Sequence, residues 1–471
     1  MCIADPIKYE CLQEVLKIHF KSHNPVVVLE MLHKYLKNNN AYDNSIELMK
    51  CGICHLQTIE DKKNLLIFVR KCLEPEKTAK KERGEVFTPF ELVEEMLDKL
   101  PKDVWSNPGL RWLDPANGIG NFLICVYYRL MEGLRERIPD EGYRKTWILE
   151  KMLYAIELDT MNMEQYKIIM GGDTYDLNIV SHDTLDLEFH GKFDVIVGNP
   201  PYQSPGNTRS TGNTLWDKFV VRNISMLNDN GYLVQVHPSG WRKPQSKSST
   251  YRGLFELMTV NNTMLYLCIR GIKDGQKMFK CGTRYDYYVL QKKPCDSGDN
   301  TIVVGEDGIS YDIYMPEWKW LPNYNFKNIK DILHPEFLTN NEIIYSRSAY
   351  GADGKYVSKV ETGEYKYPIV HSTNKGGVRY MYTNNTSRGH FGISKVIFGE
   401  SGINNCIIDM DGKYGMTHGA MAIRALDDDD ALLLKNFIES EKFKNILKAC
   451  MWSGFRIDWM LFQYFKEGFW R

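Results

Sequence analysis

Apolar residues recur at three- and four-residue spacing near the start of the chain, over 11–19, 26–36 and 64–73. That period draws one face of an amphipathic helix. Charged residues fill the positions between, so a small helical bundle is expected over residues 1–80, with a charged hinge at 77–83. From 81 to about 293 the pattern alternates. Short apolar runs at 111–114, 153–157, 193–198, 231–237, 264–269 and 286–291 read as strands. Helical periodicity returns at 90–100, 120–137, 161–171 and 215–226. Such alternation predicts an α/β fold: a doubly wound, mostly parallel sheet with right-handed crossovers. Beyond 293 glycines, aromatics and short alternating segments take over, as at 356–367 and 403–408. The acids Asp427, Asp428, Asp429 and Asp430 then suit a helix N-terminus, and a helical pattern continues to about residue 448. Residues 294–471 are therefore expected to form an α+β region.

Composition narrows the class. The 471 residues are 43% hydrophobic and 25% charged, ordinary values for a globular chain with room for two or three cores. No run approaches the ~20 apolar residues needed to span a bilayer. The opening Met1-Cys2-Ile3-Ala4-Asp5 does not read as a signal peptide. Eleven scattered cysteines point to reduced thiols, so the expected compartment is the cytoplasm of a prokaryotic or virus-infected cell. Cys51-Gly52-Ile53-Cys54-His55 mimics a haem attachment site, and Cys72 alone does not complete a zinc set, so no metal is expected. The net charge of −1 excludes a broadly basic surface. Any nucleic-acid contact has to be local. The best candidate is 241–252, where Trp241, Arg242, Lys243, Lys247, Tyr251 and Arg252 fall together; a solvated loop explains it equally well. Residues 203–214, rich in Gly, Ser, Thr and Asn, read as a loop.

The strand-like run at 193–198 ends in Asn199-Pro200-Pro201-Tyr202. Two prolines end the ladder and force a turn. The turn presents an amide, a proline carbonyl and a phenol ring. Asn199 oxygen and the Pro200 carbonyl, both acceptors, suit the two hydrogens of an exocyclic amine, and Tyr202 suits the flat base that carries it. Upstream, Asp114-Pro115-Ala116-Asn117-Gly118-Ile119-Gly120 reads as a strand end, a glycine turn and a helix start. The dinucleotide fingerprint is absent, because an acid precedes the turn and the third glycine is missing. An acid there repels phosphate and attracts an ammonium, which points to an amino-acid-bearing cofactor such as S-adenosylmethionine. Glu157 ends the next strand, where a carboxylate can bind ribose hydroxyls. Asp183 can accept from an adenine amine.

In this order the segments resemble the γ-class adenine-N6 DNA methyltransferases, found alone or within type IIG restriction-modification enzymes. The upstream Gly84-Glu85-Val86-Phe87-Thr88-Pro89 resembles the first cofactor motif of that family. Specific motifs cover about 81–293, and the likeness continues loosely to the C-terminus. Asn117 departs from the family, which often has Cys or a small residue there; Asn keeps turn propensity. The resemblance implies a Rossmann-like methyltransferase domain at 81–293, whose last strand runs antiparallel, and a target-recognition domain at 294–471. The segment from Tyr414 to Arg424 resembles part of that recognition domain. It implies S-adenosylmethionine held by Thr88, Asp114, Ala116, Gly118, Glu157, Asp183 and Asn199, with Thr88 near the methionine end. It implies methyl transfer to an adenine flipped out of double-stranded DNA. Asn199, Pro200, Pro201 and Tyr202 would act on one side and Phe279, or alternatively Tyr285, would stack on the other. A cognate restriction endonuclease is an expected partner. Residues 1–80 lack a Pro-Asp…Glu-x-Lys nuclease pattern. Other readings keep the chemistry but change the target to RNA, cytosine or a protein glutamine. A different class is a non-catalytic recognition subunit. Tyr345, Arg347, Tyr350, Lys355, Arg379, Arg388 and His390 are candidates for phosphate or base-edge contacts, though plain exposed surface is the simpler reading for most.

Overall fold

A computed structural model describes residues 88–188, 191–204, 214–334, 343–350, 355–452 and 456–471. The helical bundle expected at 1–80, the hinge at 77–83 and residues 84–87 lie outside the described residues.

The centre of the molecule is a nine-stranded sheet. Its strands are β1 (Trp112–Asp114), β2 (Leu153–Glu157), β3 (Asn178–Ser181), β4 (Phe193–Gly198), β5 (Leu227–Pro238), β6 (Thr263–Arg270), β7 (Tyr285–Gln291), β8 (Thr301–Val304) and β9 (Ser310–Ile313). They lie in the order β3-β2-β1-β4-β5-β7-β6-β8-β9. The pairs β3/β2, β2/β1, β1/β4 and β4/β5 are parallel. β7 slots antiparallel between β5 and β6, as the last strand was expected to run. The order reverses beside β1, so ligand-binding loops gather at the carboxyl edge there.

Both faces of the sheet are buried, and side-chain alternation sorts the strands onto them. Val195 and Val197 face one core with Leu92, Leu123 and Tyr287; Ile196 faces the other with Trp216, Val220 and Tyr288. The helices are α1 (Phe90–Leu97), α2 (Asn121–Gly133), α3 (Glu141–Trp147), α4 (Thr160–Met170), α5 (Trp216–Met226), α6 (Leu254–Thr259) and α7 (Ile272–Phe279). The sequence pattern gave α1, α2, α4 and α5 to within a few residues and missed α3, β3, α6 and α7.

Past residue 293 the chain does not leave the sheet at once. β8 pairs parallel with β6, and β9 returns antiparallel on β8. After α8 (Phe326–Lys330) come β10 (Ile343–Ile344), β11 (Val357–Ser358), β12 (Tyr367–Asn374), β13 (Gly377–Thr383), β14 (Lys395–Gly399), β15 (Gly402–Asp409), β16 (Gly415–Met416) and β17 (Ala420–Arg424). They form two four-stranded sheets, β10-β17-β14-β15 and β11-β13-β12-β16. Helices α9 (Asp428–Glu439) and α10 (Glu441–Ala449) follow. Asp427 caps α9 by accepting from the Asp430 N–H at 2.8 Å, and three further acids fill the first turn, the arrangement a helix dipole favours.

One continuous core joins the large sheet to this region, running from Trp216 and Tyr288 through Trp320 to Phe398 and Phe462. A buried ion pair sits on the same path. Arg242 Nε contacts Asp286 Oδ2 at 2.6 Å, both side chains fully buried. The guanidinium also donates to the Leu321 and Pro322 carbonyls and to Asn323 Oδ1. Trp241 and Arg242, expected in a loop-like basic patch, are thus interior residues; only Lys247 and Arg252 of that patch's cations are fully exposed.

Candidate functional site

The carboxyl edges of β1, β2 and β4 surround a cavity of roughly 490 Å³, within the usual range for a small-molecule site. Thr88, Asp114, Ala116, Gly118, Glu157, Asp183, Asn199, Pro200, Pro201 and Tyr202 all line it. Of the candidate site residues, Phe279 does not line it.

The glycine turn is built by backbone geometry. Gly118 and Gly120 have φ of 55° and 98°, a region that disfavours side chains. A Cβ on Gly120 would also overlap the ring of Tyr166 on α4. The turn is tied to β2 by the Asn117 N–H, which donates to the Ile156 carbonyl at 3.0 Å. Glu157 reinforces the tie. Its Oε2 accepts from the Gly118 N–H at 2.6 Å and its Oε1 from the Asp159 N–H at 2.8 Å. Asp183 Oδ1 accepts from the Leu185 N–H at 2.9 Å, and Thr184 hydroxyl donates to the Pro115 carbonyl. The two acid-bearing loops and the turn therefore brace one another.

Asp114 is 1% exposed. Its Oδ1 accepts from the Ala116 N–H at 3.1 Å. Close approach of β4 is possible because Gly198 has no Cβ; one there would sit 2.9 Å from that oxygen. Burial pushes the carboxyl up to about 8; the Ala116 N–H offsets part of this and the Glu157 charge adds to it. Such an acid gains most from a cationic ligand group.

At the end of β4, Asn199 Nδ2 donates to Thr88 Oγ1 at 3.0 Å. Thr88 is itself held, its carbonyl accepting from Asn121 Nδ2 at 2.7 Å. This pair fixes the amide plane, with nitrogen toward Thr88 and oxygen opposite. The Tyr202 phenol is raised well above its usual range, by burial first and then by Cys281; hydrogen bonding with Asn199 offsets part of the effect. Phe279 ends α7 at 8% exposure, edge-on to Tyr285 with ring centroids 4.9 Å apart. Tyr285 is also buried, its hydroxyl donating to Asp274.

Several lining residues had no sequence signal strong enough to single them out. Leu158, directly after Glu157, is 66% exposed, an unusual position for a leucine and an apolar platform at the cavity edge. Asn121, Asp159, His182 and Phe219 line it as well. An apolar residue following a strand-end acid was the available clue for Leu158. Phe219 reaches the site from α5, far along the chain. Past residue 294, Tyr350 is buried, its hydroxyl on the Arg388 carbonyl, whereas Arg347, Lys355, Arg379 and Arg388 are exposed.

A doubly wound sheet with an antiparallel strand inserted between β5 and β6, a glycine turn and Asn-Pro-Pro-Tyr at one edge defines a methyltransferase-type fold. Residues 74–234 match the family model described as N-6 DNA methylase. An adenine-specific methylase of Mycoplasma pneumoniae, described as uncharacterized, is 28% identical over 33% of this chain and 55% of its own length. The type II methyltransferase M.PaeR7I of Pseudomonas aeruginosa is 26% identical over 34% of this chain and 33% of its own. The chain thus spans between a third and about half of the length of these curated relatives. Among solved structures, a nuclease-deletion mutant of the type ISP restriction-modification enzyme LlaGI, in complex with a DNA substrate mimic, aligns with a TM-score of 0.52. It covers 96% of this chain and 60% of its own at 14% identity, a likeness of fold. Among the described residues no helix is long and apolar enough to cross a membrane, and no cluster of metal-ligating side chains occurs.

Proposed function

We propose that this chain transfers a methyl group from S-adenosylmethionine to the exocyclic amine of an adenine turned out of double-stranded DNA. One observation carries the reading: a single cavity joins the buried acid, the glycine turn, two further acids and an Asn-Pro-Pro-Tyr turn whose amide is oriented by Thr88. The donor set fits the cofactor. Asp114 would hold its ammonium, the backbone at Ala116 and Gly118 would approach its amino-acid end, Glu157 would take ribose hydroxyls, and Asp183 and Leu158 would meet the adenine. When bound, the cofactor supplies a methyl group activated on a positively charged sulfur.

The protein's part is orientation. An adenine amine is a weak nucleophile because its lone pair is delocalised into the ring. Asn199 Oδ1 and the Pro200 carbonyl would accept its two hydrogens and draw the nitrogen toward a tetrahedral geometry. Thr88 keeps the Asn199 amide from rotating, so that the acceptor is in place before the base arrives. Pro201 stiffens the turn, and Tyr202 offers its ring to one face of the base. Positioning of this kind supplies much of a rate gain without a covalent intermediate. Extrusion is needed because the amine is unreachable inside a duplex. A cognate endonuclease belongs to the same proposal. The test is to incubate plasmid DNA with the purified chain and cofactor and map modified adenines by single-molecule sequencing. Methylated adenine within a recurring sequence is expected. Cofactor binding without any methylated adenine would refute catalysis and favour a recognition subunit.

A further inference from the structure

The two faces that join α5 to β5 match residue for residue. On β5, Gln235 and His237 point to the same side, two residues apart; on α5, Trp216 and Asn223 share one side, seven residues apart. They make two rungs. The far rung is a hydrogen bond from Asn223 Nδ2 to Gln235 Oε1 at 3.0 Å, both side chains buried. The near rung is a stack of the Trp216 and His237 rings, centroids 4.4 Å apart and planes 21° apart. Both are at most 1% exposed. His237 is held at each ring nitrogen, Nε2 by the Tyr288 hydroxyl at 3.2 Å and Nδ1 by the Pro238 carbonyl at 3.0 Å. Burial pushes this histidine down to about 3, the Pro238 carbonyl opposing and Arg242 adding, so the ring stays neutral across ordinary pH. The Tyr251 ring also lies against Trp216, centroids 4.7 Å apart.

The near rung stands directly behind the Asn-Pro-Pro-Tyr turn. Leu215, next to Trp216, donates its N–H to the Tyr202 carbonyl at 3.2 Å. Gln203 and Thr214 pair as an antiparallel bridge. Tyr202 is therefore fastened to the residue that leads into α5, and α5 is fastened to the sheet by a ring stack at that end. We propose that Trp216 and His237 are positioning residues that set Tyr202 for the target base through the Leu215–Tyr202 backbone bond. The inference rests on the reading of Tyr202 as the residue that receives the base. Nothing in it requires Trp216 or His237 to touch substrate.

The test compares the near rung with the far one. Trp216→Leu, Trp216→Phe and Asn223→Leu are made in the full chain. Amide hydrogen exchange at Leu215 is read without cofactor or DNA, and kcat is read at saturating cofactor and plasmid. In Trp216→Leu the Leu215 amide is expected to exchange at least about tenfold faster, and kcat to fall about 10- to 100-fold, the scale for a displacement near 1 Å. Cofactor Kd stays at the parent value. Trp216→Phe restores most of both readouts, because it restores a stacking ring. Asn223→Leu lowers Tm but leaves Leu215 exchange and kcat within about threefold of the parent. If Trp216→Leu does not fold, His237→Leu removes the other ring and carries the same comparison. Parent-like exchange at Leu215 in the leucine variant overturns the proposal, as does unchanged kcat with faster exchange. So does an equal loss in Asn223→Leu, which would reduce the stack to general helix stability. A parent chain that methylates nothing refutes the transferase reading instead, while the exchange comparison still decides whether the stack holds Tyr202.

Discussion

Binding of the cofactor should release a proton from Asp114. In the folded chain without ligand this carboxyl is raised to about 8, chiefly by burial, with Glu157 adding and the Ala116 N–H opposing. Near pH 7 about nine-tenths of it is therefore neutral. If the ligand's ammonium pairs with the ionised form, binding has to expel that proton. Worked from a folded value near 8, apparent affinity rises about ninefold from pH 6 to pH 7, or about 1.3 kcal/mol. This window lies below the titration of an α-amino group, near 7.7–8.0, so the ligand's ammonium stays largely charged within it. Calorimetry in buffers of different ionisation enthalpy should count about 0.9 proton released per cofactor at pH 7. Asp114→Asn should bind more weakly and lose both the slope and the proton. The sign for stability is opposite in the empty protein. A folded value above the unfolded 3.8 makes Asp114 contribute stability fully below about pH 4, and that contribution is lost as pH rises toward 8. The stabilisation given by the cofactor should consequently be larger at pH 8 than at pH 6. Flat affinity between pH 6 and 7, or the same slope in Asp114→Asn, would refute the pairing.

Asn199→Ala should abolish methyl transfer in a single-turnover assay while cofactor affinity changes little. Thr88→Val keeps the shape but removes the hydroxyl that holds Asn199 Nδ2, and should lower kcat about 10-fold or more with Tm near the parent value. Glu157→Ala should weaken cofactor binding by roughly 1.5–3 kcal/mol in calorimetry, and should also lower Tm, because the Gly118 and Asp159 N–H groups lose their acceptor. Arg242→Met leaves Asp286 buried without its partner and should cost about 3–5 kcal/mol in chemical denaturation, far more than Lys247→Met on the exposed part of the same segment.

What could be read from sequence, and what could not, divides by the distance along the chain over which a contact is made. The Asn-Pro-Pro-Tyr turn was legible because two prolines have one consequence wherever they fall. The glycine turn and the acids at 114 and 157 were legible because each ends or follows a short apolar run, and a parallel sheet sends such ends to one edge; Asp183 follows β3, whose four residues gave no strand signal. Arg242 was not legible. It lies among lysines and serines that look solvated, and its counterion Asp286 comes from another strand, 44 residues on. β8 and β9 were hidden for the same reason: they sit beyond the change in pattern at residue 293, and only the pairing of β8 with β6 and of β9 with β8 assigns them to the large sheet. α7 was obscured by Gly275, a poor helix residue that is required because a side chain there would strike the Thr283 carbonyl. That helix decides the fate of Phe279. Its ring turns into the core against Tyr285 rather than into the cavity, while Cys281, two residues on, lies close enough to raise the Tyr202 phenol. The turn between α7 and β7 thus lies near the Tyr202 side chain without lining the cavity. Stacking by Phe279 on a target base would require its ring to leave Tyr285, so Leu in place of Phe279 should change 2-aminopurine emission at the target position; unchanged emission would keep Phe279 a core residue.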